Sequence, residues 1–563
     1  MLSTFNTLAL LTPPEAAEFL SVIPAAMVTI VVVAFILIDM FHRQGTPRDY
    51  LAYFSVIGLA ATAAGCWYLW DTAADPEVFA YGPAFFGMLY FDQFALFFAA
   101  LACISGALAM LCSPALLQSH RMDRGEYYLL ILFSVIGMIV MTSAADLLTL
   151  FIALELMSIP IYVVAGFLRK DSRGAEASMK YFILGSISAA LMLYGIALIY
   201  GAAGTTNLEM ISQNLIYITD SGHEAYPMVI LGMVLIMSGF IFKVAGVPFH
   251  IWAPDVYSGS PTPAVGFMAT AFKAIAFAAM LRVMVVAFPA EVFRGGFFGL
   301  GWIDVAFFVA FASMVLGNFV AVVQKSVKRM LAYSSIAHAG YIMVGFVAAN
   351  SHPDFYLHND AILFYAVAYV FAVVGAFGVL SYFGRRGRAV ETFDDLGELG
   401  LKYPFMGLVM GIFMFSAAGF PPTAGFLGKF YIFRSGVDVY AQSGETAMLV
   451  LVIVGVLTSV VGAYYYLKVL VYMYMKPAKK EFPPLEHKGT RWAVAICAAA
   501  TLYIGMFPAQ TIDISRDAVM DMSGVPTGAP EGAEIGGPHD VDIQAVIRAG
   551  EVRLEELVPD EDE

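Results

Sequence analysis

The sequence predicts an all-α polytopic membrane protein of about fourteen transmembrane helices. Three observations predict it: the composition, the recurrence of apolar runs of membrane-spanning length, and the alternation of basic with non-basic loops. The 563 residues are 60% hydrophobic and 13% charged, whereas ordinary soluble domains carry roughly 25% charged residues. The mean hydropathy of +0.78 excludes a soluble globular class, and nothing in the chain points to a nucleic-acid partner. Its main surroundings are the lipid bilayer.

A helix that crosses the ~30 Å hydrocarbon core needs about 20 mostly apolar residues. Such runs place spans one to seven near 16–42, 50–70, 85–112, 126–143, 145–168, 177–201 and 228–250. Spans eight to fourteen fall near 261–288, 302–324, 328–349, 358–384, 403–439, 446–475 and 490–508. The first run, Phe19 to Phe41, is too long for the apolar part of a signal peptide and has no basic residue before it, so it is expected to stay as a span.

Basic residues test the count, because cytoplasmic loops hold the excess of Lys and Arg. Twenty of the thirty, among them Arg43, Arg48, Arg121, Arg169, Lys170, Arg173, Lys180, Lys328, Arg329, Arg386, Lys402 and Lys479, lie in loops after odd-numbered spans or at the adjoining helix ends. Loops after even-numbered spans hold only Arg294 and Arg434, and the C-terminal stretch holds Arg516, Arg548 and Arg553. A miscounted helix would scramble this pattern from that point on, so an even total is predicted, with both termini non-cytoplasmic.

Cys66, Cys103, Cys112 and Cys497 form no CxxC pair and lie in or beside apolar runs, so they read as small buried hydrophobes and not as ligands of a cluster or zinc. The net charge of −14 comes partly from the last fifty-odd residues. That acidic tail, 512–563, is expected to be soluble and largely separate from the helices.

An ionisable side chain at mid-bilayer costs at least ~2.5 kcal/mol, which makes each one a candidate functional residue. Glu155 sits about ten residues into span five, Lys243 and Lys273 lie near the middle of spans seven and eight, and Lys429 lies in span twelve. Burial lowers a lysine's hold on its proton and a nearby carboxylate restores it, so a Glu155–Lys243 pair whose coupling changes with conformation is a proton relay in outline. A single isolated pair reads better as static packing, but several lysines along one chain favour function. Lys468 in span thirteen is near enough to the cytoplasmic end for relay and snorkelling to stay open. Arg282, near the outer end of span eight, is expected to reach the headgroups and to be structural.

Two spans are interrupted. Gly246 and Pro248 break the run after Lys243, and Gly419, Pro421, Pro422 and Gly425 break the run before Lys429. Irregular backbone at membrane depth survives only inside protein or beside water. Spans seven and twelve are five apart and antiparallel, as an inverted five-helix repeat produces. The predicted organisation is 1–112 (spans one to three), 113–300 and 301–475 (the two repeats), 476–511 (span fourteen) and the tail, 512–563. Span ten has no carboxylate matching Glu155 and offers His338, either a relay group or a hydrogen-bonded core histidine.

Over roughly residues 85–475 these segments resemble the antiporter-like membrane subunits of bacterial respiratory complex I, the NADH-quinone oxidoreductase. The run from Lys325 to Tyr341 and the stretch from His250 to Ser258 look most like the subunit N group, and lysine at position 429 is similar to groups N and L and unlike M. The resemblance implies a Glu–Lys pair at Glu155 and Lys243, a central Lys273 and a lysine on the broken helix, Lys429. It also implies neighbouring antiporter-like and small membrane subunits as partners. No cofactor is expected in this chain; NADH, FMN, iron-sulfur clusters and quinone belong to partner subunits. The function it implies is proton translocation coupled to quinone reduction, the proton passing from Lys243 along Lys273 and His338 to Lys429. Alternatives are a subunit of a cation/proton antiporter or membrane-bound hydrogenase complex, and a scaffold with static buried charges.

Overall fold

A computed structural model describes residues 18–41, 47–75, 83–168, 171–220, 226–288, 297–299, 301–385, 388–485 and 487–522. Arg43, Arg169, Lys170, Arg294, Arg386, Arg548, Arg553 and most of the acidic tail lie outside the described residues.

Apart from a hairpin of two-residue strands, Gly384–Arg385 and Arg388–Ala389, the regular structure is helical. Among the described residues, twelve helices are long and apolar enough to cross a membrane: Glu18–Met40, Asp49–Tyr68, Gln93–Ser119, Gly125–Ser143, Leu147–Ala165, Ser172–Ala203, Tyr226–Lys243, Thr262–Ala287, Trp302–Val323, Val327–Asn350, Phe355–Tyr382 and Thr446–Met475. They occupy the places of spans one to eleven and thirteen. Span fourteen is Lys488–Met506, and after an 85° bend Ala509–Met522 follows it. The place of span twelve is held by two helices, Pro404–Ala418 and Ala424–Ser443.

Side-chain caps fix several helix starts by taking up N–H groups that have no partner within the helix. Asp92 accepts from Ala95 N at the head of span three, and Asp146 from Leu148 N and Thr149 N at the head of span five. Asp171 and Ser326 do the same for spans six and ten. A helix that is apolar all round belongs in an interior, and span eight is buried along its whole length, with span ten nearly so. Spans one, six and thirteen present Ile30, Phe182, Ile187, Leu457 and Val460 outward, as lipid-facing helices do.

Two close helix–helix approaches, between neighbouring spans, sit at glycines. A Cβ on Gly137 in span four would lie 2.3 Å from Met157 N in span five, and one on Gly317 in span nine would lie 2.6 Å from Ala337 N in span ten. In both cases the facing residue comes twenty positions later in the chain.

The basic loops meet at one end of the bundle. Arg173 donates to both carboxylate oxygens of Glu391 at 2.9 and 2.8 Å. Asp255 accepts from Lys180 at 2.8 Å and Arg329 at 2.7 Å, and Lys479 reaches Asp394 at 2.8 Å. These exposed pairs are screened by solvent and add little to stability. At the opposite end Ala509–Met522 packs on spans three and eleven, with Ala518, Val519 and Met522 buried. The segment expected to leave the bundle at 512 therefore stays on it as far as 522, because its apolar side chains have a surface to cover; residues 523–563 lie outside the described residues.

Candidate functional site

Span seven ends at Lys243, and its second half resumes as Trp252–Gly259. Between them Ala245 takes a positive φ of 56°. The freed backbone groups find side-chain partners: Trp252 Nε1 donates to Phe242 O at 3.1 Å and Val247 N to Ser313 Oγ at 2.9 Å. Lys243, 3% exposed, directs Nζ back at span five, donating to Ser158 Oγ at 2.7 Å and Tyr162 Oη at 3.3 Å.

The second break is built around a lysine. Gly419, at φ +91°, ends Pro404–Ala418 in the left-handed conformation glycine adopts without strain. Lys429, one turn into Ala424–Ser443, then donates to Ala417 O at 2.9 Å, Ala418 O at 3.1 Å and Ser459 Oγ at 2.8 Å. The last carbonyls of a helix lack internal partners and carry its negative dipole end, so the ammonium supplies both the donors and the opposite charge. Its Nζ also lies 5.0 Å from the centre of the Tyr341 ring.

Span ten joins these parts. Lys273 Nζ donates to Ser335 O at 2.6 Å, and His338 lies one turn further along the same helix. Both ring nitrogens of His338 have hydroxyl partners, Nδ1 with Tyr365 at 2.6 Å and Nε2 with Tyr466 at 2.8 Å. Tyr341, one turn on, packs its ring edge-on against His338 and carries Lys429 over its face. Lys273, His338 and Lys429 are thus connected through one buried helix, and each cation meets neutral oxygens. A carboxylate in reach would pin the proton on the lysine. Among the described residues none lies within ion-pair distance of Lys243, Lys273 or Lys429.

Glu155 and Lys468 stand outside this chain of contacts. Glu155, one turn before Ser158 in span five, is half-buried, forms no ion pair with Lys243, and has one carboxylate oxygen buried without a hydrogen-bond partner. The expected pair is absent because the hydroxyls of Ser158 and Tyr162 take the Lys243 ammonium instead. Lys468 is at the basic end, donating to Gln324 O at 3.3 Å, with Phe393 beneath it at 4.3 Å. Arg282 does not reach a headgroup region: it is 2% exposed and forms a two-pronged ion pair with Asp92 at 2.5 and 2.8 Å.

Sequence reasoning missed the partners. Ser158, Tyr162, Tyr365, Tyr466 and Ser459 read as ordinary members of apolar runs, and Asp92 lies unremarked within the run at 85–112. The spacing of Tyr365 and Tyr369 on one helical face was the one local sign of a polar seam in span eleven.

Residues 144–462 match the family described as NADH:quinone oxidoreductase/Mrp antiporter, TM. The NADH-quinone oxidoreductase subunit N of Trichlorobacter lovleyi is 40% identical over 499 residues, covering 88% of this chain and 96% of that protein. The subunit N 1 of Sorangium cellulosum is 42% identical over 438 residues, covering 77% and 84%. Among solved structures, a chain of respiratory complex I from Thermus thermophilus with bound aureothin is 33% identical, with a TM-score of 0.68 over 87% of this chain and 98% of that one. A chain of the Mrp complex from Dietzia, 18% identical with a TM-score of 0.72 over 90% of this chain and 97% of that one, shares the fold. With its match over these spans and its relatives aligned nearly end to end, the chain belongs to the NADH:quinone oxidoreductase/Mrp antiporter transmembrane family.

Proposed function

We propose that the chain is a proton-translocating membrane-arm subunit of a bacterial NADH-quinone oxidoreductase. On this reading it is part of a translocase, sits in the inner membrane beside the other antiporter-like and small membrane subunits, and leaves NADH, FMN, iron-sulfur clusters and quinone to partner chains. The observation that carries the reading is the buried line from Lys273 through span ten and His338 to Lys429, in which every lysine is held by a hydroxyl or carbonyl oxygen. The proton enters at Lys243, passes Lys273 and the Tyr365–His338–Tyr466 group, and reaches Lys429, with water completing the wire at the helix breaks. Glu155, partly exposed on span five and unpaired with Lys243, acts on that lysine when quinone reduction elsewhere shifts span five or seven. Both termini lie on the non-cytoplasmic side, because the basic loops share one end.

The two-repeat organisation, spans four to eight and nine to thirteen, is supported by the equal spacing of the Gly137–Met157 and Gly317–Ala337 contacts. In that register Ser158 of span five corresponds to His338 of span ten, and Glu155 to Ser335. The two half-channels then offer a hydroxyl and an imidazole at equivalent places, and His338 is no substitute for Glu155.

The test is NADH-driven proton pumping, measured with quinone reduction in membrane vesicles carrying Lys243→Ala at equal levels of assembled complex. Both activities are expected to fall together by about tenfold, the effect of ~1.4 kcal/mol on the rate-limiting transfer. Untouched pumping and reduction would show that Lys243 only ties span seven to span five. Sodium-dependent transport without NADH would assign the chain to an antiporter complex.

A further inference from the structure

The end of the bundle opposite the basic loops holds a buried charge cluster that the relay does not use. Asp92 caps span three and takes both prongs of Arg282, and the guanidinium lies over the Tyr90 and Phe94 rings at 4.7 and 4.9 Å. Asp521, from Ala509–Met522, enters the same place and accepts from Gln93 N at 2.5 Å. Asp92 and Asp521 are each 8% exposed and Arg282 2%. One guanidinium thus faces two carboxylates, and two carboxylates sharing a site do not both ionise readily. Three buried polar atoms beside them lack hydrogen-bond partners: Arg282 Nε, Gln93 Oε1 and the Tyr356 hydroxyl. Tyr356, 5% exposed, is close enough to feel both Arg282 and Asp92. Buried polar atoms left without protein partners mark where water enters.

The cluster lies along span eight from the relay. Arg282 follows Lys273 by nine residues, ~13 Å at the helical rise. A small void lined by Phe98, Lys273, Phe277, Ile342, Ile362 and Tyr369 opens at Lys273. Phe98 is the next turn of span three after Phe94, which stacks on Arg282 and packs against Phe98 at 5.0 Å. An apolar segment between two polar stations passes protons only while it is wet and blocks them when dry.

Resting on the relay reading, we propose that Asp521, positioned by Gln93 N–H and set against Asp92 and Arg282, is the proton-release group at the opposite end of the bundle. Lys273 is then a branch point of the relay: beside its step toward His338 and Lys429, when the apolar segment wets, water carries a proton from the Lys273 ammonium to the Asp521 carboxylate; an N–H bond breaks and an O–H bond forms. Asp521 then returns to carboxylate by giving that proton to the aqueous phase. Burial first, and the charge of Asp92 next, push the Asp521 carboxyl up to about 7, against the Gln93 N–H and Arg282, which pull it down. The other titratable or charged groups around its helix are Tyr356, His358 and Asp360 in the first turns of span eleven, and Asp513, Arg516 and Asp517 on the helix itself.

The experiment uses inside-out vesicles with the whole complex and compares wild type, Asp521→Asn and Asp521→Glu for NADH-driven pumping at a series of buffered lumenal pH values. Wild-type pumping is expected to decline as lumenal pH falls through about 7, where Asp521 keeps its proton. Asn keeps the acceptor for Gln93 N–H and cannot carry the proton, so Asp521→Asn should lower pumping about tenfold and erase that limb of the profile, with assembly intact, while Glu restores both. If Asn leaves rate and profile unchanged, or if Asn and Glu both lose the assembled complex, Asp521 is only an anchor for its helix. Lys243→Ala in parallel separates the two readings: pumping lost there and kept in Asp521→Asn overturns the release group alone, whereas pumping kept in both overturns the relay as well.

Discussion

Lys429→Ala is expected to lower NADH-driven pumping and coupled quinone reduction about tenfold or more, consistent with loss of a positioned proton-transfer group, while the complex still assembles. The reasoning turns on what the lysine touches. Among the described residues it makes no ion pair, so its removal strands no carboxylate there. It does leave Ala417 O and Ala418 O without their donor, at a cost of about 1–3 kcal/mol. Water entering at the break replaces part of that loss. Lys479→Ala, which removes an exposed pair with Asp394, is the comparison and should leave pumping where it was. Assembled complex is quantified on native gels and pumping by quenching of a pH-sensitive dye. Full pumping in Lys429→Ala would reduce the lysine to a helix cap.

Gly317→Val is expected to have the largest effect on stability. Its Cβ would sit 2.6 Å from Ala337 N and 2.9 Å from Tyr333 O, and backbone atoms of a buried helix do not move aside as a flexible side-chain end does. Overpacking of this kind costs ~1–3 kcal/mol where a core can adjust; here the separation of spans nine and ten has to change. The same helix carries Ser335 and His338, so the displacement reaches the Lys273 contact. Gly137→Val, at 2.3 Å from Met157 N, should behave alike and disturb Ser158. Both variants should show reduced complex on native gels and a lower melting temperature in detergent; a wild-type melting temperature in either would mean that the helix pair is looser than its contacts imply.

What the sequence made legible is what lipid makes expensive. Long apolar runs, the basic-loop alternation, two Gly/Pro interruptions and the lysines beside them all stand out because hydrocarbon tolerates few of them. The partners are less visible. A tyrosine such as Tyr365 or Tyr466 raises no alarm in an apolar run, because its ring is as much at home there as a phenylalanine, and only folding brings the two hydroxyls to either side of His338. Asp92 and Arg282 are 190 residues apart, so Arg282 looked unaccompanied. The pairing drawn between Glu155 and Lys243 followed from opposite charge. The local competition of Ser158 and Tyr162, both on the helix that carries Glu155, depends on which face of span five turns toward Lys243, and apolar residues on every side of that helix hide its facing.

The position of Lys429 on the final carbonyls of Pro404–Ala418 has a consequence for how occupancy becomes movement. An ammonium there is the seal on the end of a half-helix. Taking its proton away leaves an amine with one fewer hydrogen to share among Ala417 O, Ala418 O and Ser459 Oγ, and cancels the charge that faced the dipole. The half-helix then gains by turning its open end toward water or toward another donor. Loading and unloading a single proton would in this way alternately fasten and loosen a hinge, so that the break in span twelve works as a latch whose key is the transported ion itself.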